Sequence, residues 1–383
     1  MRALLFSPVA GRDAAGGDTS YTEALVEEPP EGVTYTTYAE ALEEGSMVLR
    51  GRRPDKGGIA RSDLALFVLR SGEVAARRSG LMFAEPLWFA TIDPDAFDVV
   101  HLHLFSLRQV DSKVPVVSSA GYPLNVLYHE GRGWSARRAT VAVALESRLA
   151  HMADAHVPWL SAPRSDLLTV YSGHFARWLT DRGVPDRQVR VLGTALPAAP
   201  PIPRRSDGRT LAFIARDYPR KGGDIALAAF DLMRQQDPSL TFLVATDAPE
   251  IERSLSAHPG VQLYSNPPRS VVLEEILPRT DVLLAPTRLD CGVPYGLLEA
   301  FRQGCGVVTS TVPWLDERLS GPCVRRVDLD TEAVAASATE LLGVDRSRLE
   351  RDARALWQDR FSMSSLNDDL LTAYQDAIAG GRP

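Results

Sequence analysis

Cysteine is scarce: the 383 residues hold three, Cys291, Cys305 and Cys323. An odd number without metal-ligand spacing supports neither a disulfide framework nor a zinc site. An excess of positive charge is also missing. Lys and Arg number 42 against 49 Asp and Glu, and the formal charge of −7 argues against a nucleic-acid binder. No apolar run approaches the roughly 20 residues of a membrane-spanning helix, although peripheral membrane contact stays open. The opening MRALLFSPVAGRD has no long apolar core of a secretory signal and reads as the start of a strand. Together these absences make a reducing cytoplasm the expected compartment. They leave room for a large core. With 45% hydrophobic and 24% charged residues the composition is globular, and the length suits two domains.

What is present is an alternation of short apolar runs and helical stretches. Strands are expected at Arg2–Ser7, Val33–Tyr38, Phe97–Leu104, Val114–Ser119, Asp166–Ser172 and Val189–Leu192. A Pro-rich stretch, Ala195–Gly208, predicts the domain boundary. Beyond it, strands are expected at Leu211–Ala215, Thr241–Ala245, Val261–Ser265, Val282–Ala285 and Gly306–Thr309. Trp314–Leu319 and Val327–Leu329 continue the alternation, and Ala333–Ala379 reads as mostly helix, with Trp357 and Phe361 as large aromatics whose plainer reading is core packing and whose other reading is anchorage of the last helix.

The most informative stretch is Asp281–Ser310, a strand, a loop, a helix over Leu297–Gln303 capped by Gly304, and a second strand. In parallel sheets ligands bind beyond the carboxyl ends of the strands. The Gly- and Pro-rich loop, with Cys291, Gly292, Val293, Tyr295, Gly296 and Leu297, brings backbone N–H groups and a helix N-terminus there, which suits a diphosphate. Glu299, expected in the first helical turn, suits hydroxyl donors of a neighbouring sugar. A second strand-to-helix loop carries Arg216, Lys221 and Gly222; two cations at that place can neutralise a diphosphate. Other features are less specific. Gly11, Gly16 and Gly17 lie in a turn before helical text. Arg50, Arg52, Arg53, Lys56 and Arg61 form a basic patch that reads as a solvated loop. His101 and His103 share one strand face and read as structural.

These residues resemble the donor-binding signature of family 4 retaining glycosyltransferases of the GT-B fold. Glu299-Ala300, Gly304 and Val307-Val308 match its second half, and Arg216, Lys221 and Gly222 match its Gly-Arg … Lys-Gly loop, with Ala215 in place of the glycine. The first acid of the signature is replaced by Cys291, with Asp290 one residue earlier. Val293-Pro294 stands where the family has Phe-Gly, and Ala120 stands where it has an acceptor-side histidine. The resemblance implies an α/β protein of two Rossmann-like domains flanking a cleft. It places the acceptor domain at 1–196, the nucleotide-sugar domain at 197–360, and a helix at 361–383 crossing back. It implies glycosyl transfer with retention from a nucleotide sugar, UDP ahead of GDP by family frequency, to an acceptor hydroxyl, with no bound metal or cofactor. Arg216 and Lys221 would neutralise the diphosphate, Glu299 would take the ribose hydroxyls, and Asp290, or Cys291 through its backbone, would meet the sugar. Gly16 and Gly17 would approach the diphosphate, Asn266 the nucleobase, and His129 would substitute for the missing histidine. Two other readings stay open: a GT-B enzyme of another kind, such as an epimerase or trehalose-type synthase, and a non-catalytic partner with a degraded site. Oligomeric state is left unassigned.

Overall fold

The computed structural model describes residues 1–8, 17–50, 87–160, 164–200 and 202–380, with six further positions between 68 and 78. Gly11 and Gly16, and Arg52, Arg53, Lys56 and Arg61 of the basic patch, lie outside the described residues. The chain separates into two compact units, Met1–Gly193 with Asn367–Pro383, and Thr194–Leu366. Each is a Rossmann-like α/β unit around a six-stranded parallel sheet, the two-unit pattern of the GT-B fold.

The first unit contains β1 (Arg2–Phe6), β2 (Thr34–Thr37), β3 (Met47–Leu49), β4 (Leu87–Ile92), β5 (Val99–His103), β6 (Ser106–Gln109), β7 (Val116–Ala120), β8 (Leu167–Val170) and β9 (Val189–Val191). Its main sheet runs β2-β1-β5-β7-β8-β9, and β3, β4 and β6 form a separate three-stranded sheet not anticipated from the sequence. The main-sheet strands read as apolar runs because both faces are covered: β5 and β7 are buried at every position.

Burial explains the two histidines of β5. His101 Nε2 lies 2.7 Å from Ser119 Oγ and 3.1 Å from the Tyr21 hydroxyl, and its Nδ1 lies 2.6 Å from the Tyr374 hydroxyl. His103 Nδ1 lies 3.1 Å from the Tyr171 hydroxyl. Tyr374 belongs to the last helix, Met363–Ala379, and also meets the Tyr35 hydroxyl at 2.9 Å. The terminal helix therefore joins the first unit through a buried polar cluster as well as through apolar packing. Trp357 and Phe361 follow the core-packing reading: Phe361 is fully buried in the core of the second unit, and Trp357 is packed against that core. They anchor that unit's own helices, because the crossing starts only after them.

The second unit contains β10 (Thr210–Ile214), β11 (Thr241–Thr246), β12 (Val261–Ser265), β13 (Val282–Ala285), β14 (Gly306–Ser310) and β15 (Val324–Val327), ordered β12-β11-β10-β13-β14-β15. Trp314–Leu319 is not an element of its own; its Leu315 makes an isolated bridge to Gly292. The expected strand at Val327–Leu329 lies earlier, over Val324–Val327, paired in register with Val307–Ser310. The Pro-rich stretch is packed onto the second unit. Arg204 and Asp281 form a buried pair at 3.5 Å, Arg302 donates to the Pro197 carbonyl and Gln303 to the Ile202 carbonyl. The stretch makes no regular ladder, so these side chains satisfy backbone carbonyls that would otherwise be left unpaired.

Burial lowers the pKa of both His101 and His103 to about 3. Their folded values lie below the unfolded value of about 6.5, so the stability they contribute is present above that pH and is lost as pH falls towards 3. Unfolding free energy should fall by about 1.4 kcal/mol per pH unit for each histidine below pH 6.5. Denaturant titrations from pH 7 to pH 5 should show this slope, and His101→Gln should flatten it; an unchanged slope would mean the ring is not held neutral.

Candidate functional site

In the second unit β10 and β13 are neighbours at the centre of the sheet, and the strand order runs outward from them in opposite directions. This is the topological switch point, where the loops beyond the two carboxyl ends diverge and leave room for a ligand. Arg216, Lys221 and Gly222 lie on the loop after β10; Asp290 through Val293 lie on the loop after β13.

The two loops are tied across the switch point. The Lys221 ammonium pairs with the Asp290 carboxylate, both side chains being mostly buried. The Arg288 N–H donates to the Arg220 carbonyl at 2.9 Å, and Arg220 Nη1 donates to the Leu289 carbonyl at 3.0 Å. Arg288 also reaches Asp224 through both terminal nitrogens, at 2.7 and 2.6 Å, which holds the Asp224 carboxyl below its usual range. Gly222 sits in the left-handed region at φ +73°, and a Cβ there would overlap the Pro286 carbonyl oxygen. Glycine is required twice over, for the torsion and for the approach of the backbones.

The helix after the second loop spans Tyr295–Gln303, two residues earlier than expected, because Pro294 takes the N-cap position in extended backbone. Glu299 therefore stands in its second turn. It is 7% exposed, and Arg269 donates to its Oε1 through Nε at 2.8 Å and pairs with it through Nη2 at 2.8 Å. Several loop amides are already engaged. Gly292 N–H donates to the Trp314 carbonyl at 3.0 Å, Val293 N–H to Thr194 Oγ1 at 3.1 Å, and Leu297 N–H to the Pro294 carbonyl at 2.9 Å. Gly292 and Val293 thus brace the loop, and Leu297 buries its side chain at 4% exposure. The helix entrance is formed by Tyr295 and Gly296, and a Cβ on Gly296 would meet nothing within 4 Å. Open space in front of a helix N-terminus is where an anion is favoured.

The remaining residues are distributed as follows. Arg216 is exposed just beyond β10, and Cys291 is partly buried. Asn266 is exposed after β12 at φ +40°, a torsion asparagine tolerates, with its N–H on the Thr246 carbonyl at 2.7 Å. Gly17 opens a helix in the first unit. His129, also in the first unit, is exposed and donates from Nδ1 to the Trp134 carbonyl at 2.7 Å. Sequence reasoning missed Arg269, which meets Glu299 across 30 positions, and Thr194, whose hydroxyl bonds both the N–H and the carbonyl of Val293 across 99. Nothing local in the sequence marks either. Among the described residues no group of three or more His, Cys, Asp or Glu side chains is placed to hold a metal ion, and no helix is long and apolar enough to cross a membrane.

Fold and site define a doubly wound α/β unit with a basic, glycine-bearing loop and a helix entrance at its switch point. Residues 208–343 match the family model described as glycosyl transferases group 1. The chain is 26% identical over 350 residues to a D-inositol 3-phosphate glycosyltransferase of Stackebrandtia nassauensis, covering 84% of this chain and 75% of that protein. Among solved structures it is similar to the sucrose-phosphate synthase of Thermosynechococcus elongatus, with a TM-score of 0.60 at 15% identity over 99% of both chains. It is also similar to Anabaena HepE in complex with UDP and glucose, with a TM-score of 0.58 at 11% identity, over 98% of this chain and 99% of that one.

The tightness of the loop crossing is testable at Gly222. Gly222→Ala should cost at least about 2 kcal/mol of stability, from the left-handed torsion with the overlap added. Urea unfolding measures it; a variant as stable as the parent would contradict the described backbone approach.

Proposed function

We propose that the protein is a glycosyltransferase that moves a sugar from a nucleoside diphosphate sugar to an acceptor hydroxyl, with retention at the anomeric carbon. The observation that carries this reading is the convergence of Lys221, Asp290 and Gly222 at the switch point of the second unit, beside the open entrance of the Tyr295 helix. The match of residues 208–343 to glycosyl transferases group 1 supports it from another direction.

In this mechanism the donor's diphosphate takes the place in front of Tyr295 and Gly296, where the helix dipole and two amides favour negative charge. Lys221 and Arg216 neutralise the charge that grows on the leaving diphosphate as the glycosidic bond breaks, the part a divalent cation plays elsewhere. Asp290 keeps the Lys221 ammonium in position and offers a carboxylate to the sugar hydroxyls. Glu299, oriented by Arg269, accepts from the ribose hydroxyls. UDP is the first nucleotide to test and GDP the second.

Lys221→Ala and Arg216→Ala should each lower turnover on the order of a hundredfold, the usual cost of one charge-assisted transition-state contact. Asp290→Asn should change the preference among donor sugars. A thermal-shift panel of nucleotide sugars identifies the donor, and product analysis of the best one measures transfer and anomeric outcome. Failure of every UDP- and GDP-sugar to stabilise the protein, or near-parental turnover in both alanine variants, would overturn the reading.

A further inference from the structure

A second surface lies in the first unit, on the helix Ala136–Ala153. Its inward face is built from Ala139, Ala142, Glu146, Ala150 and Ala153, all buried. The outward face is unusual. Among the described residues nine large apolar side chains are exposed, and three belong to this one helix: Val141 at 60%, Leu145 at 40% and Met152 at 71%. At roughly 100° per residue these three fall within an arc of about 40°. They form one stripe, whereas singly scattered exposed apolar residues would need no explanation.

Charge flanks that stripe on both sides. On the same helical projection Arg138 borders it on one edge and Arg148 and Arg137 on the other, all three exposed. The guanidinium of Arg138 lies 3.9 Å over the Trp134 ring, which holds it beside the helix start. Glu146 is the one acid among the eighteen residues; it is 4% exposed and accepts from the Tyr128 hydroxyl. At the helix end Asp154 is paired with Arg108 and Arg164, and Glu130 is an exposed acid in the turn before the helix. A chain of net charge −7 thus presents a helix face with three arginines and no carboxylate.

We propose that this face docks on an anionic lipid surface. The stripe of Val141, Leu145 and Met152 enters the headgroup boundary, and Arg137, Arg138 and Arg148 meet lipid phosphates while their aliphatic stems lie along the apolar boundary. A second copy of the chain is a poorer occupant. Pairing this face with itself brings arginine against arginine, with no exposed acid on the helix to answer them. The inference stands apart from the proposed glycosyl transfer, since none of these residues belongs to the donor site.

Flotation of the full chain with vesicles tests it. The protein should bind phosphatidylcholine vesicles containing phosphatidylglycerol, should not bind phosphatidylcholine alone, and should be released by high salt. Each arginine near such a surface is worth on the order of fivefold, so the triple variant Arg137→Gln, Arg138→Gln, Arg148→Gln should lose about a hundredfold in binding. The triple variant Val141→Ser, Leu145→Ser, Met152→Ser should weaken it as well, which separates insertion from charge alone. Both variants should keep parental thermal shifts with nucleotide sugars, since the donor site is untouched. No binding of the parent to anionic vesicles at low salt, or equal binding by the arginine variant, overturns the proposal. So does light scattering that shows the parent as a dimer and the serine variant as a monomer, which would assign the stripe to a second copy.

Discussion

The tie between the loops after β10 and β13 is the constraint around which the second unit is arranged. Two parallel strands at the centre of a sheet send their chains in opposite directions, and the ends of those strands would otherwise part. Here the Lys221–Asp290 ion pair, the Arg288 N–H on the Arg220 carbonyl, and the close approach of Gly222 to Pro286 keep the two loops together. A charged pair that is mostly but not wholly withdrawn from water is held because each partner is the other's compensation. The result is a cation from one loop set beside a helix entrance from the other, the arrangement on which the proposed diphosphate site rests.

Around this tie the other side chains act as braces. Thr194 fixes both polar groups of Val293, and Trp314 accepts from Gly292, so the second loop cannot slide along the sheet. Ser310 donates from its hydroxyl to the Thr287 carbonyl at 2.5 Å, and Thr309 does the same to Ala285 at 2.9 Å. Arg269 holds the Glu299 carboxylate from the far side of the sheet order, beyond β12. Amides of Gly292 and Val293 that look available in the sequence are therefore consumed in keeping the loop rigid, while the space beside Gly296 in the first helical turn is open.

The strands of both main sheets were largely legible in the sequence because each is buried on two faces and reads as an uninterrupted apolar run; Val261–Ser265 and Val282–Ala285 coincide with their predicted bounds. The three-stranded sheet was not legible, since β3 is only three residues long and meets β4 across the whole of residues 50–86, and β6 is short and mostly polar. The helix at Tyr295 starts earlier than its residues suggest, because a tyrosine and a glycine are weak helix formers and the geometry set by Pro294 decides the matter. Lys221 and Glu299 could be singled out by their place after a strand and within a helix. Arg269 and Thr194 could not, because their importance lies in contacts between distant positions. Trp357 and Phe361 show the opposite case: of the two readings open to large aromatics near a chain end, the plainer one, core packing, is what the second unit uses.

The most direct test of the central claim is hydrogen exchange measured by mass spectrometry with and without saturating UDP-sugar or, failing that, UDP. The account predicts added protection in peptides covering 215–223 and 286–297, centred on the loop after β10 and the entrance of the Tyr295 helix. Binding that protects other segments and leaves both of these unchanged would contradict it.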